Sequence, residues 1–388
     1  MKMKDFDYDI VVCGGGVAGV AAAIAAARQG AKCVLIEKQC VLGGLATSGL
    51  IYIYLPLCDG HGTQITFGLA EEMFRRCPAY GPFTLPKEWG GPENGYGADN
   101  PRCRCNFSPA GFSLTLDEML LEAGVDLWLD TRITGATVEN GRVTAVEAVN
   151  DSGFHTLRAK CFVDATGQAA VVKLAGGKVL SEKNYVTPWI MEMADDHSVF
   201  HFTDSLHIRP CGSFSGEYEV PAGYGGKEVT DFCRRSWEIA REHYKKFTPE
   251  EQRNNYPVHL PNMPQLRKIA RIDGLCTLSD EDHGRHFENS VGVAADWNKP
   301  DPGWELPYEA LLPRDVKGVV SAGRCIAASG YAWEIFRVIP AAVLSGEVAG
   351  VAAALSAAAG ISPDDLPIEV LKNKLKENGV RFEMATEK

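Results

Sequence analysis

Three apolar runs, two short and one long, open the chain. Ile10–Cys13 and Cys33–Ile36 are four residues each, and between them Val17–Ala27 is a longer run dominated by alanine. Short apolar runs bounded by glycine read as buried strands, and the long one as a buried helix. Further on, 114–123 has the spacing of an amphipathic helix that stops at Gly124. Three alternating runs follow, Val125–Val138, Arg142–Val149 and Phe154–Val163, joined by turn residues at Asn140-Gly141 and Ser152-Gly153, which predicts a β-meander. The third run leads into Asp164-Ala165-Thr166-Gly167 and a short helix ending near Gly176-Gly177. Residues 78–112, rich in Pro, Gly and Asn, read as a long irregular loop, a kind of segment that usually covers a site.

Residues 178–315 are the least legible. They are rich in aromatics and histidine, with one helix expected around Asp231–Lys246 and a short one near Pro264–Arg271. A strand over 318–323 then enters another glycine turn. Ile339-Pro340 begins a long alanine-rich helix, proline being accepted at a helix start. Ile368, Leu371 and Leu375 share one face of a last helix closing at Gly379. No internal repeat or low-complexity tract interrupts this order.

The first run of elements carries chemistry. Gly14-Gly15-Gly16-Val17-Ala18-Gly19 joins strand to helix, and Glu37 ends the second strand, eighteen residues after Gly19. This is the order of a dinucleotide-binding βαβ unit. Gly14 permits the tight turn, Gly16 lets a pyrophosphate approach the backbone, and Gly19 lets the helix pack close to the sheet. Free N–H groups at the helix start face the phosphates, and Glu37 accepts from ribose hydroxyls.

Composition narrows the classes. With 388 residues, 45% hydrophobic and 23% charged, the chain fits two or three globular units, and a net charge of −11 argues against a nucleic-acid partner. The first strand is reached by Ile10, which leaves no room for a leader, so a cytoplasmic protein is expected. The alanine-rich stretch 338–360 is the membrane-span candidate. Pro340, Ser345, Glu347 and two glycines make it a buried helix instead, so no membrane partner is expected. Twelve cysteines without an export signal read as reduced thiols. Arg102-Cys103-Arg104-Cys105 is a candidate redox or ligand pair, because neighbouring arginines lower a thiol pKa; the alternative is an arginine-rich loop. No second pair stands at metal spacing, so no metal is expected.

Taken together, Gly14/Gly16/Gly19 with Glu37, then Gly43-Gly44-Leu45-Ala46-Thr47, the meander into Ala165-Thr166-Gly167, and Ala322-Gly323-Arg324-Cys325 resemble one family. The chain resembles FAD-dependent oxidoreductases of the glutathione-reductase-like flavoprotein class, in the branch with relatives of heterodisulfide reductase. The resemblance covers about residues 8–50, 115–180 and 260–380.

It implies an α/β fold: a Rossmann-like FAD-binding domain with a three-stranded β-meander, interrupted by an α+β substrate-capping domain. The FAD-binding domain would comprise residues 1–50, 115–180 and 316–361, the cap 51–114 and 181–315, and a C-terminal helix 362–388. It also implies that Gly14, Gly16, Val17, Ala18 and Gly19 hold the FAD pyrophosphate, with Glu37 and Lys38 on the adenosine side. Gly43, Gly44, Ala46 and Thr47 would run along the ribityl and isoalloxazine part, and Ile133 would meet adenine through its backbone. Ala165, Thr166 and Gly167 would back the first strand, and Gly323 and Arg324 would approach the ribityl phosphate. The helix from Val338 would aim its N-terminus at the flavin, with Arg337 beside it to stabilise the charge of the reduced ring.

Two departures from the resembled pattern matter. Ala270 stands where many relatives carry a second arginine, and Gly330 where many carry a histidine, leaving Tyr331 and Glu334 as local substitutes. No cysteine pair follows Gly43-Gly44, which argues against thiol relay chemistry. No second glycine turn of comparable quality follows for NAD(P)H. Noncovalent FAD is therefore expected, with Cys40 the nearest residue for a covalent link.

The expected function is hydride transfer between a small polar organic substrate and flavin N5. His61, His201, His207, His283, Tyr331 and Glu334 are the proton-carrier candidates, and Arg267 and Arg271 the candidates for orienting an oxyanion. The rival is a flavin-binding electron-transfer component that works with a protein partner; an electron-acceptor protein or a second copy is the expected macromolecular partner. A third reading, direct NAD binding at the glycine turn, predicts a colourless protein.

Overall fold

The computed structural model describes residues 4–93, 104–182, 188–195, 206–210, 225–299 and 303–384. β1 (Lys4–Cys13), α1 (Val17–Arg28) and β2 (Cys33–Ile36) form the expected βαβ unit, with β1 and β2 parallel in the register Ile10–Cys33 to Cys13–Ile36. Ten residues of α1, from Val17 to Ala26, are buried. That all-round burial explains why alanine, with no rotamer entropy to lose, fills the helix.

β3 (Ile53–Tyr54) pairs with β4 (Cys105–Asn106), and α2 (Leu69–Arg76) lies between them in sequence. α3 (Pro109–Ala123) starts five residues before the expected Leu114. Ser108 accepts from Gly111 N at 3.2 Å and Pro109 occupies the first turn, so a cap moves the boundary into what read as loop. α2 packs on the long helix Ile339–Ala359 and α3 on α1, so both stand with the nucleotide-fold helices.

The expected first meander strand is two strands. β5 (Asp126–Trp128) pairs parallel with β2, and β6 (Arg132–Glu139) pairs antiparallel with β7 (Arg142–Asn150). The break falls where Asp130 takes φ +48° and Thr131 N donates to Glu37 O at 2.9 Å, turning the chain around the acid that ends β2. β8 (Gly153–Asp164) completes the meander and runs parallel to β1 over its whole length.

α4 (Ala170–Leu174) and β9 (Val179–Leu180) follow. β10 (Trp189–Met193), β11 (Leu206–Pro210) and β12 (Tyr256–His259) form a small antiparallel sheet ordered β11-β10-β12, with α5 (Gly226–Tyr244) between the last two in sequence. The expected helix near Pro264–Arg271 is absent: residues 264–270 form an irregular strap that bends at Arg267 and Lys268, and β13 (Arg271–Ile272) pairs with β9. Other elements claim its polar groups. The Gln265 amide donates to Gly49 O at 2.7 Å and Trp189 O at 3.1 Å, and Leu266 O accepts from Arg324.

β14 (Ser290–Ala294) and β15 (Trp304–Pro307) make a hairpin before β16 (Val319–Ser321), α6 (Gly330–Phe336), α7 (Ile339–Ala359) and α8 (Ile368–Glu377). β16 returns to pair parallel with Phe162–Asp164 of β8. The main sheet has seven strands, in the order β5-β2-β1-β8-β7-β6 with β16 also on β8. Its parallel part is β5, β2, β1, β8 and β16. α7 is long and apolar enough to cross a membrane, but 89% of that stretch is buried inside the protein, packed on α1 and the sheet.

Candidate active site

The turns that leave the parallel strands gather at one edge of the sheet. Gly14 N donates to Ile36 O, Ala165 N to Cys13 O and Ala322 N to Asp164 O, at 2.7 to 3.0 Å, so the ladder continues past the strand ends. This carboxyl edge is where open parallel sheets hold ligands.

The first wall is glycine for steric reasons. Gly14 has φ +104°, and a Cβ there would stand 2.6 Å from Ala165 O; one on Gly19 would be 1.7 Å from Gly14 O. A Cβ on Gly16 would meet nothing within 4 Å, because it would project into the groove. Gly43 N donates to Gly15 O at 2.8 Å, locking the second glycine turn onto the first. Glu37 is buried and accepts from Gly15 N at 2.6 Å and Gln39 N at 2.9 Å. It therefore shapes the glycine turn as well as facing the groove.

The opposite wall comes from β8, β16 and α7. Asp164 is fully buried, accepting from Thr166 N and Oγ1 and from Val171 N and Val172 N, which fixes the Ala165–Gly167 turn and the start of α4. Arg324 lies against Gly167, where any Cβ would meet its Nε at 2.7 Å. Gly323, at φ +71°, packs against Ala18 and donates its N–H to Ser345 Oγ at 2.9 Å.

Two helices thus begin at one groove. Val17 and Ala18 of α1 line it, and so do Ile339 and Ala342 of α7. Neither N-terminus has a side-chain cap or an acidic residue in its first turn. Each leaves amides and the positive end of its dipole available to an anion.

Most of the sequence-derived cofactor residues line this groove: Gly14, Gly16, Val17, Ala18, Glu37 and Lys38 on one side; Gly43, Gly44 and Ala46 beside them; Ala165, Thr166, Gly167, Gly323, Arg324 and Arg337 across from them. Burial lowers the Lys38 pKa, opposed by Glu37. Four expected residues are not on the lining. Gly19 packs behind the turn, Thr47 is tied to Leu42 O beneath Gly43, and Val338 is the N-cap just before Ile339. Ile133 pairs with Ala148 inside the meander, a consequence of the break that puts it on β6. Sequence reading missed Met263, Pro264 and Ile269, which reach the groove from the irregular strap. Their signal was hidden because an irregular strap bonded by side chains has no periodicity.

The candidate catalytic residues separate. Arg337, on the groove, donates to Glu334 at 2.7 Å through Nε, and Lys268 Nζ stands 3.5 Å from the same carboxylate and 3.2 Å from Glu182. Burial pushes the Glu334 carboxyl up, but Arg337, Lys268 and Arg267 outweigh it and hold it below its ordinary value. Glu334 is the shared counter-ion of Arg337 and Lys268. Burial and the Arg337 charge lower the Arg267 pKa, which places it in the same cluster. Lys268, buried to 9% exposure, is a member the sequence reading missed.

The others lie elsewhere. Tyr331 donates to Asp296 Oδ1 at 2.8 Å; burial and that carboxylate push its hydroxyl up to about 12. Arg271 lies against the Trp333 ring, 6.0 Å away, and donates to Ile272 O. His61 is an exposed loop residue whose N–H bonds Asp59. His207 is buried in β11 within 3.3 Å of Ala194 O, and His283 packs on Trp304. His201 and Cys103 lie outside the described residues; Cys105 is buried and Cys40 is exposed.

A parallel sheet with a glycine-turn groove served by two helix N-termini is the architecture of a dinucleotide-binding fold. Residues 9–200 and 224–375 match the FAD-dependent oxidoreductase family, and the chain belongs to that family. Its cofactor is FAD.

Among curated relatives, digeranylgeranylglycerophospholipid reductase 1 of Methanococcoides burtonii is 31% identical over 177 residues, 45% of this chain and 41% of that one. The digeranylgeranylglycerophospholipid reductase of Methanocella arvoryzae is 27% identical over 227 residues, 56% and 52% of the two chains. The matches thus span only about half the length of these relatives. A solved structure of BexE, described for oxidation during BE-7585A biosynthesis, shares the fold with a TM-score of 0.52 at 14% identity, over 96% of this chain and 66% of that one.

Proposed function

We propose that the groove holds one FAD with its pyrophosphate across the amides of Gly16–Ala18 and its flavin end toward Arg337 and the start of α7. The observation that carries this reading is the convergence of two uncapped helix N-termini on a glycine-walled groove. When bound, FAD supplies hydride chemistry at N5. Arg337, held by Glu334, together with the α7 amides stabilises negative charge on the reduced ring. Arg267 and Lys268 orient the polar or anionic end of a small organic substrate, and the Met263–Ile269 strap excludes water from that end.

Electron flow toward the substrate is supported by the names of the relatives, which are reductases. None of the relatives named above supports the rival, an electron-transfer component, or the finer placement near glutathione reductase and heterodisulfide reductase.

The test is Gly16→Val. The new side chain meets no protein atom at its Cβ, so the chain folds and melts as the wild type without cofactor, yet purifies without its yellow colour. A Gly16→Val protein that retains stoichiometric FAD overturns the placement. Anaerobic titration of chemically reduced wild type with unsaturated and carbonyl acceptors then reads substrate class and direction.

A further inference from the structure

A second hollow, of about 490 Å³, opens between α5 and β12. Trp237, Ala240, Pro257 and Leu260 form its apolar wall, and Arg241 and Lys245 stand at it with Gln252 and Tyr244. Among the described residues no carboxylate lines it, although the chain as a whole carries a net charge of −11. Among the same residues neither Arg241 nor Lys245 is ion-paired. The two cations are four residues apart at the C-terminal end of α5, Arg241 in its last turn and Lys245 as its C-cap, where like charges at that spacing repel each other until an anion lies between them. Trp237 and Leu260 are 40% and 38% exposed, unusual for an indole and an isobutyl group that already have a concave wall to share.

The hollow and the cofactor groove share wall residues with one intervening slot. Trp237 and Leu260 also wall a narrow slot, and Met263 and Pro264 at the end of that slot line the cofactor groove. An apolar wall, two neighbouring cations and no acid together specify a ligand with a charged head and a hydrocarbon body.

We propose that this hollow binds an anionic amphiphile, a carboxylate carried on an apolar body. Arg241 and Lys245 hold the head at the rim, and the apolar body covers Trp237 and Leu260 toward the Met263-Pro264 step. The site is separate from the FAD groove and goes beyond the oxidoreductase reading: FAD content reports on one and amphiphile binding on the other.

The experiment is calorimetric titration of the FAD-loaded full chain with monomeric sodium octanoate and, in parallel, 1-octanol. Octanoate is expected to bind saturably at one site. Octanol, without the charge, binds at least about tenfold more weakly, the loss of one charge-assisted contact. The Arg241→Gln/Lys245→Gln variant keeps helix-forming residues on an exposed face, so it keeps its Tm and FAD content. Its octanoate affinity falls by about tenfold or more. Absence of saturable binding, equal affinity for octanoate and octanol, or unchanged affinity in the double variant each overturns the proposal. A third arm sediments the protein with phosphatidylglycerol vesicles: retention on vesicles without affinity for monomeric octanoate assigns the cations to a bilayer surface and also overturns it.

Discussion

Gly346 of α7 sits against the carbonyl oxygen of Ala18 in α1, so closely that a Cβ on Gly346 would stand 2.2 Å from it. One turn on, Gly350 meets Ala22 O in the same way, at 2.1 Å. Backbone-to-backbone contact is what brings the two helix N-termini to one groove. Gly346→Ala must push the helices apart and is expected to cost about 1–3 kcal/mol, with loss of bound FAD. Gly226→Ala, at a helix glycine with nothing within 4 Å, is the control expected to leave the Tm unchanged. Thermal melts and flavin content of the two proteins check this.

Glu37 fixes the first turn through two N–H donors. A glutamine can accept from one of them but presents an amide hydrogen to the other. Glu37→Gln is expected to lose about 1–3 kcal/mol from these charged hydrogen bonds and to weaken FAD binding about tenfold or more. Fluorescence titration of the apoprotein with FAD measures it.

Arg337 and Glu334 make opposite electrostatic predictions for the bound flavin. Arg337→Met removes a positive charge from the groove and should shift the two-electron potential about 30 mV or more to the negative side, 30 mV being about 1.4 kcal/mol. Glu334→Gln leaves Arg337 uncompensated and should shift it the other way. Reduction of the two variants beside a reference dye gives the sign directly.

Glu347 predicts how stability depends on pH. It is buried in α7 and accepts from Leu69 N at the start of α2, at 2.7 Å; burial raises its carboxyl from 4.5 to about 8, with Arg28 opposing and Glu72 adding to the shift. Between those values the folded chain keeps a proton that the unfolded chain releases. This group's contribution is therefore most favourable below pH 4.5, falls as pH rises, and levels off above about 8. Glu347→Gln should remove that slope, so the Tm difference between variant and wild type grows from pH 6 to about pH 8. Parallel melts across that range test it.

Legibility followed the periodic parts of the chain. Ile10–Glu37 was readable because a buried parallel strand, an alanine helix and two sterically required glycines, Gly14 and Gly19, each leave a mark on composition. The family resemblance drew on these residues together with Gly43–Thr47, Ala165–Gly167 and Ala322–Cys325. Val125–Val138 misled because Asp130 and Thr131, which break the run, are unremarkable until Glu37 O is seen beside Thr131 N. Gln265 is the opposite case: a polar side chain that bonds as a strand would, which no periodicity encodes. Tyr331 and Glu334 read from the sequence as proton-carrier candidates; their bonds to Asp296 and Arg337 join residues far apart or unpatterned in the chain and are visible only in the fold.

Strand β8 has one more consequence, for biosynthesis. Its first half is completed by β7, joined to it by the turn at Asp151-Ser152, whereas Phe162–Asp164 wait for β16, which leaves the ribosome only once residues 319–321 have been made. Until then that stretch of the nascent chain presents unsatisfied amides and an apolar flank, the condition under which strands pair with the wrong neighbour. A chain stopped before residue 316 should therefore emerge aggregated rather than as a smaller soluble protein.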